Sequence, residues 1–90
     1  MPENETDGAL AGEAIRDAVR EQIRSGEPPE AKKTYERLVA MGMAEDEALE
    51  MLSAVLAVEI FHVLKHQTPY DRERYESQLR ELPSLPWSSG

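Results

Sequence analysis

The sequence contains no cysteine, and only one phenylalanine and one tryptophan occur among its 90 residues. The absence of cysteine excludes disulfide bonds, thiolate zinc sites and thiol catalysis, and it fits a reducing compartment. A chain this short buries only about 60–65% of the surface that its unfolded form exposes, so its core is small. Because small domains without disulfides often gain stability from a bound metal or from oligomerisation, both possibilities bear on this chain.

Basic residues are also scarce, since 10 Lys and Arg face 18 Asp and Glu, which gives a formal net charge of -8. This balance argues against nucleic-acid and anionic-membrane partners, which both require clustered positive charge. The first eight residues have neither a basic nor an apolar segment, so they do not resemble a signal peptide. The longest apolar-rich run, residues 48–64, is interrupted by Glu50 and Glu59 and predicts no membrane span. We therefore expect a cytoplasmic protein.

Sequence motifs for catalysis are missing as well. No Gly-rich phosphate loop occurs, and no serine lies in a predicted strand-to-helix turn. We interpret the many carboxylates as side chains on solvent-exposed helix faces and at helix caps. We predict no enzymatic activity and no cofactor.

Apolar residues recur at helical spacing along most of the chain, and no strand pattern competes with them. The pattern predicts an all-α fold, a small four-helix bundle-like domain over residues 9–87 with a disordered tail at 1–8. The predicted helices cover residues 9–25, 29–42, 44–66 and 68–82. Trp87 follows the last helix and is expected to dock on the bundle, because a small core rarely leaves a tryptophan loose.

Local signals support the predicted helix ends. Gly26 suits the left-handed position after the first helix, and Pro29 suits the first turn of the second. Thr68 is a good N-cap for the fourth helix, with Pro69 as its first residue and Asp71 in the place of a capping-box acid.

The third predicted helix is long and apolar on nearly every side between residues 48 and 64. A helix that is hydrophobic all round is normally buried all round, yet two of its three predicted neighbours are short and one is alanine-rich, so we expect part of it to stay exposed. The side chains that fall outside its main apolar half are Met51, Val55, Val58 and Phe61. We predict an interface there, with a second copy as the simplest partner and a homodimer as the result. Alternatively, the first helix and the Trp87 tail cover this face.

One cluster could carry chemistry, namely Glu59, His62 and His66 at three- and four-residue spacing. On a helix these side chains share about 60° of arc, and carboxylate and imidazole groups so placed can bind one divalent metal. The alternative is structural: His62 is hydrogen-bonded near the core edge, and His66 faces solvent where its charge suits the helix end.

The segment Leu38–Met43, followed by Glu45, Glu47 and Ala48, resembles the start of a ubiquitin-associated domain. The resemblance covers about 20 residues and implies a ubiquitin contact at the Met41–Met43 loop. It ends in the third helix, which continues through Phe61 where that family begins a new helix. Glycine after a helix is also a common C-cap.

A broader resemblance spans about residues 9–87. Its motifs are Pro28–Gly42, Glu45–Leu49, Leu56–Leu64, Thr68–Tyr75 and Leu82–Pro83. Together they resemble a family of small uncharacterised bacterial all-helical proteins. This resemblance implies a helical fold and a bacterial cytoplasmic source, and it carries over no catalytic residue.

These observations lead to one main functional hypothesis and one alternative. The main hypothesis is a small helical protein that acts through protein–protein contacts and associates with itself. The alternative is a helical protein that binds a divalent metal through Glu59, His62 and His66.

Overall fold

The computed structural model describes the backbone of residues 3–85 and the side chains of residues 12–85. Four helices account for most of this part, and it contains no strand, which confirms the all-α prediction. The helices are α1 (Glu3–Ser25), α2 (Pro29–Ala40), α3 (Glu45–His66) and α4 (Arg72–Glu81). The backbone of α1 begins before the predicted residue 9, and the acidic residues there suit a helix start. Disorder over residues 1–8 stays a prediction, and Trp87 lies outside the described residues.

Two glycines allow the tight connections around α2. Gly26 follows α1 at a φ of +75°, and Gly42 lies between α2 and α3 at a φ of +102°. Both values fall in the left-handed region, which L side chains rarely adopt. Pro29 is the first residue of α2, as the sequence predicts.

The start of α4 differs from the prediction. The cap is Asp71 instead of Thr68, because the Asp71 carboxylate accepts a hydrogen bond from the backbone N–H of Arg74 at 3.0 Å. Residues 68–70 therefore form a connection outside the helix. This arrangement satisfies one of the free N–H groups at the start of α4.

The core lies where the four helices meet. Its buried apolar side chains are Val19, Ala31, Leu38, Ala48, Leu52, Val55, Leu56, Tyr75, Leu79 and Leu82. The Arg37 side chain reaches from α2 to the end of α4. Its guanidinium donates to the carbonyl oxygens of Leu82 at 2.7 Å and Leu79 at 3.2 Å. The Leu82 carbonyl lies at the end of α4, where carbonyl groups lack a partner within the helix, whereas the Leu79 carbonyl also accepts from the Leu82 N–H at 3.2 Å.

Tyr75 is the largest fully buried side chain, and its hydroxyl donates to the Gln22 side-chain oxygen at 2.7 Å. Burial raises the pKa of the Tyr75 phenol well above its usual value. Above a pH of about 10 the unfolded chain loses this proton while the folded chain keeps it, so stability falls as pH rises.

We expect the variant Tyr75→Phe to be destabilised less by alkaline pH than the unaltered chain, because it has no phenol at this position. At pH 7 the variant costs about 1 kcal/mol, because the Gln22 oxygen loses its donor. Urea titrations at several pH values between 8 and roughly 11 give the free energy of unfolding of both proteins. The fall of this free energy with rising pH is then compared between them. If the free energy of unfolding fell equally steeply above about pH 10 in both proteins, the Tyr75 phenol would not be the cause.

No helix in the described part of the chain is both long and apolar enough to cross a membrane.

Candidate interaction surface

The helix α3 packs against α1, α2 and α4. Its buried face is formed by Ala48, Leu52, Ser53, Val55, Leu56 and Glu59. Beside this face, Gly12 and Ile15 of α1 line a groove together with Ala54 and Ala57 of α3. The side of α3 beyond this groove is partly uncovered, since Phe61 and Lys65 are exposed there and Met51 and Val58 are half-buried.

This partly uncovered side forms a regular stripe. At about 100° per residue, its members lie within about 80° of arc around the helix axis. The middle of this arc is about 120° away from the middle of the buried face. They are Glu47, Met51, Ala54, Val58, Phe61 and Lys65, and none of them is buried. We call these six residues the α3 stripe. Its four central side chains are apolar, and a charged side chain lies at each end.

Phe61 is the most exposed member of the apolar part, at 70% of its full accessible surface. Met51 and Val58 are half-buried. A large aromatic side chain left in water, on a face shared with other apolar groups, is typical of an interaction surface.

The predicted interface needs one correction. Val55 is fully buried in the core between the helices, so it cannot take part in a surface contact. Ala54, one residue earlier, is half-buried and lies at the edge of the partly uncovered side, where it also lines the groove between α1 and α3. A helix that is apolar all round gives no sequence signal for which side the neighbours cover, so the sequence pattern could not separate the two residues.

An open groove lies beside the stripe near the start of α3. It has a volume of about 380 Å³ and is lined by Met43, Met51 and three acidic residues, Asp46, Glu47 and Glu50. Both methionines pack partly against the core. Because methionine is flexible and polarizable, such a groove can adapt to an apolar or aromatic side chain.

A second groove of about 310 Å³ lies between α1, α2 and the start of α3. Its polar lining consists of Arg20, Arg24, Glu45 and Asp46. Tyr35 also lines it, and burial raises the pKa of the Tyr35 phenol. Charges of both signs lie in this groove, so it offers no field that selects a ligand of one charge.

The proposed metal ligands are not brought together as one set. Glu59 is only 1% exposed, and its two oxygens accept hydrogen bonds from the Arg74 guanidinium at 2.9 and 2.7 Å. The backbone N–H of Asp71 donates to the same carboxylate at 3.2 Å. These hydrogen bonds also raise the pKa of the Arg74 guanidinium. A carboxylate already engaged by a guanidinium is a poor ligand for a cation.

The two histidines do lie together, with ring centroids 4.4 Å apart. Over the described part of the chain, no group of three or more His, Asp or Glu side chains is placed to hold a metal ion. The metal-binding hypothesis therefore rests on the imidazole pair of His62 and His66. Two ligands are fewer than a closed protein site provides.

The loop predicted from the ubiquitin-associated resemblance is partly available. Met41 is 60% exposed, whereas Met43 is half-buried against the core. The helix that follows continues to His66. Only Met41 therefore offers a large apolar contact in this loop.

Comparison with protein-family models, with curated proteins and with solved structures finds no match to this chain. The resemblance to small bacterial proteins thus stays a prediction. The α3 stripe and the groove beside it together form the candidate interaction surface.

Proposed function

We propose that this protein acts through protein–protein contacts and that it associates with itself through the α3 stripe. The observation that carries the proposal is the exposure of Phe61 at one end of the apolar part of the α3 stripe. Burying a large apolar side chain contributes about 1.5–3 kcal/mol, and a two-fold interface buries each one twice. A 90-residue chain without disulfides gains most from such support.

A second copy is the partner that the charge pattern of the α3 stripe favours. The chain carries a net charge of -8, which opposes contact between copies at long range. The stripe, however, has apolar groups at its centre and one charge of each sign at its ends, so it lacks that net repulsion. The stripe is therefore the part of the surface best suited to self-association.

Light scattering over protein concentrations from roughly 1 µM to roughly 500 µM tests this proposal. We expect the mass to rise from 10.1 kDa toward twice that value. The interface is small, so we expect a dissociation constant on the order of micromolar. A constant mass of 10.1 kDa over the whole range would end the homodimer proposal.

A further inference from the structure

We infer that two copies of the chain pair in antiparallel orientation along α3, in one defined register. This inference rests on the self-association proposed above and adds its geometry. In this register Glu47 lies opposite Lys65 of the partner subunit, Met51 lies opposite Phe61 of the partner subunit, and Ala54 lies opposite Val58 of the partner subunit. The two-fold axis passes between the Ala54 and Val58 levels.

The spacing of the stripe supports this register. Its six positions are separated alternately by four and three residues, which is the repeat of a helix that packs on another helix. The spacing is the same when it is counted from either end. In an antiparallel pair, each of the six positions can therefore lie opposite a stripe position of the partner subunit. Every apolar member then contacts an apolar member.

Charge selects the antiparallel orientation. Acids occupy the first turn of α3, at Glu45, Asp46 and Glu47, and its last turn contains Lys65. The Glu47 carboxylate accepts a hydrogen bond from the Ala44 N–H at 3.4 Å, but neither Glu47 nor Lys65 forms an ion pair within the described residues. Antiparallel pairing brings opposite charges together at both ends of the stripe, and it also aligns the helix dipoles favourably. Parallel pairing would place Glu47 against Glu47 and Lys65 against Lys65.

Shape supports the same register. Phe61 projects from the stripe as its largest exposed side chain, and the open groove of about 380 Å³ lies beside Met51. The register places Phe61 of each copy at the level of that groove, so its ring can enter between Met43 and Met51 of the partner subunit. At the centre, the small Ala54 side chain permits close approach of the two helices. A contact between Phe61 rings in a parallel pair would leave both grooves empty.

The chain has no cysteine, so engineered thiols report the register without background. The test uses Glu47→Cys and Lys65→Cys as separate variants of the full chain and a bismaleimide much shorter than α3. In the antiparallel register, two copies of position 47 are about 27 Å apart, whereas positions 47 and 65 of opposite copies lie at one level. We expect efficient cross-linking in the mixture of the two variants, and at least tenfold less in either variant alone.

Two controls distinguish a wrong register from a failure of the chains to associate. Lys33→Cys, on an exposed position of α2, replaces Glu47→Cys in a matched mixture and should cross-link no more than background. Cross-linking of each single variant with itself, and none between the two, would show a parallel dimer and overturn the register. Light scattering of the same variants shows whether they associate. Dimers that give no cross-link in the mixture would overturn the register alone, and monomers would overturn the proposed function.

Discussion

Arg74→Met should lower the free energy of unfolding by about 3–5 kcal/mol, because it leaves the buried Glu59 carboxylate without its counter-charge. Glu59 is 1% exposed and receives two hydrogen bonds from the Arg74 side chain. The Asp71 N–H remains as a donor, but it carries no full charge. Since domains of this size are stable by only about 5–10 kcal/mol, the loss is a large share of the total. Urea unfolding followed by circular dichroism measures it.

Arg72→Met is the matched control for this variant. Arg72 lies two residues earlier and donates to Glu76 at 2.7 Å, the same distance as the shorter Arg74 bond, but its side chain is about half exposed. Exposed pairs contribute about 0–1 kcal/mol, so this control should cost little. The double variant Glu59→Met with Arg74→Met should recover much of the loss, because it removes the buried charge as well. Equal losses for Arg72→Met and Arg74→Met would contradict the role of burial.

The helical content of the chain could be predicted because its causes are local. Apolar residues at helical spacing, a proline at the start of α2 and acids in the first turn of α3 act within a few neighbouring residues. The same signals located the end of α3 at His66. The start of α4 was placed one turn too early because Thr68 and Asp71 are both good N-caps, and only the contacts of the folded chain decide between them.

The long-range polar contacts could not be predicted from the sequence pattern. Glu59 and Arg74 belong to different helices, and Arg37 meets Leu82 across the bundle. Charged residues usually face solvent, so the pattern alone would assign Arg37 to water. It treated Glu59 as a metal ligand because two histidines follow at helical spacing. Neither assignment takes account of a partner far away along the chain.

The candidate surface could be predicted in part. The sequence located it on the third helix and included Phe61, Val58 and Met51, which the structure leaves on the partly uncovered side. It also included Val55, which is buried, and it missed Ala54 and the two charged ends. Which side of an apolar helix stays open depends on where its neighbours pack, and periodicity carries no such information.

Phe61→Glu should move self-association to protein concentrations at least about 100-fold higher than those at which the unaltered chain forms a dimer. The substitution removes the largest apolar contact of the α3 stripe and brings a carboxylate of each copy into an apolar groove already lined by acids. We expect the dissociation constant to rise by at least about 100-fold, which corresponds to about 2.7 kcal/mol. Phe61 is 70% exposed in the single chain, so the helical content should not change.

Met41→Glu is the matched control, since Met41 is 60% exposed, caps the end of α2, and belongs neither to the stripe nor to the lining of the groove beside it. Sedimentation velocity of the unaltered chain, Phe61→Glu and Met41→Glu at one concentration tests whether the α3 stripe forms the contact between two copies. We expect dimers for the unaltered chain and for Met41→Glu, and a monomer of 10.1 kDa for Phe61→Glu. A dimer that persists in Phe61→Glu would show that the contact lies elsewhere.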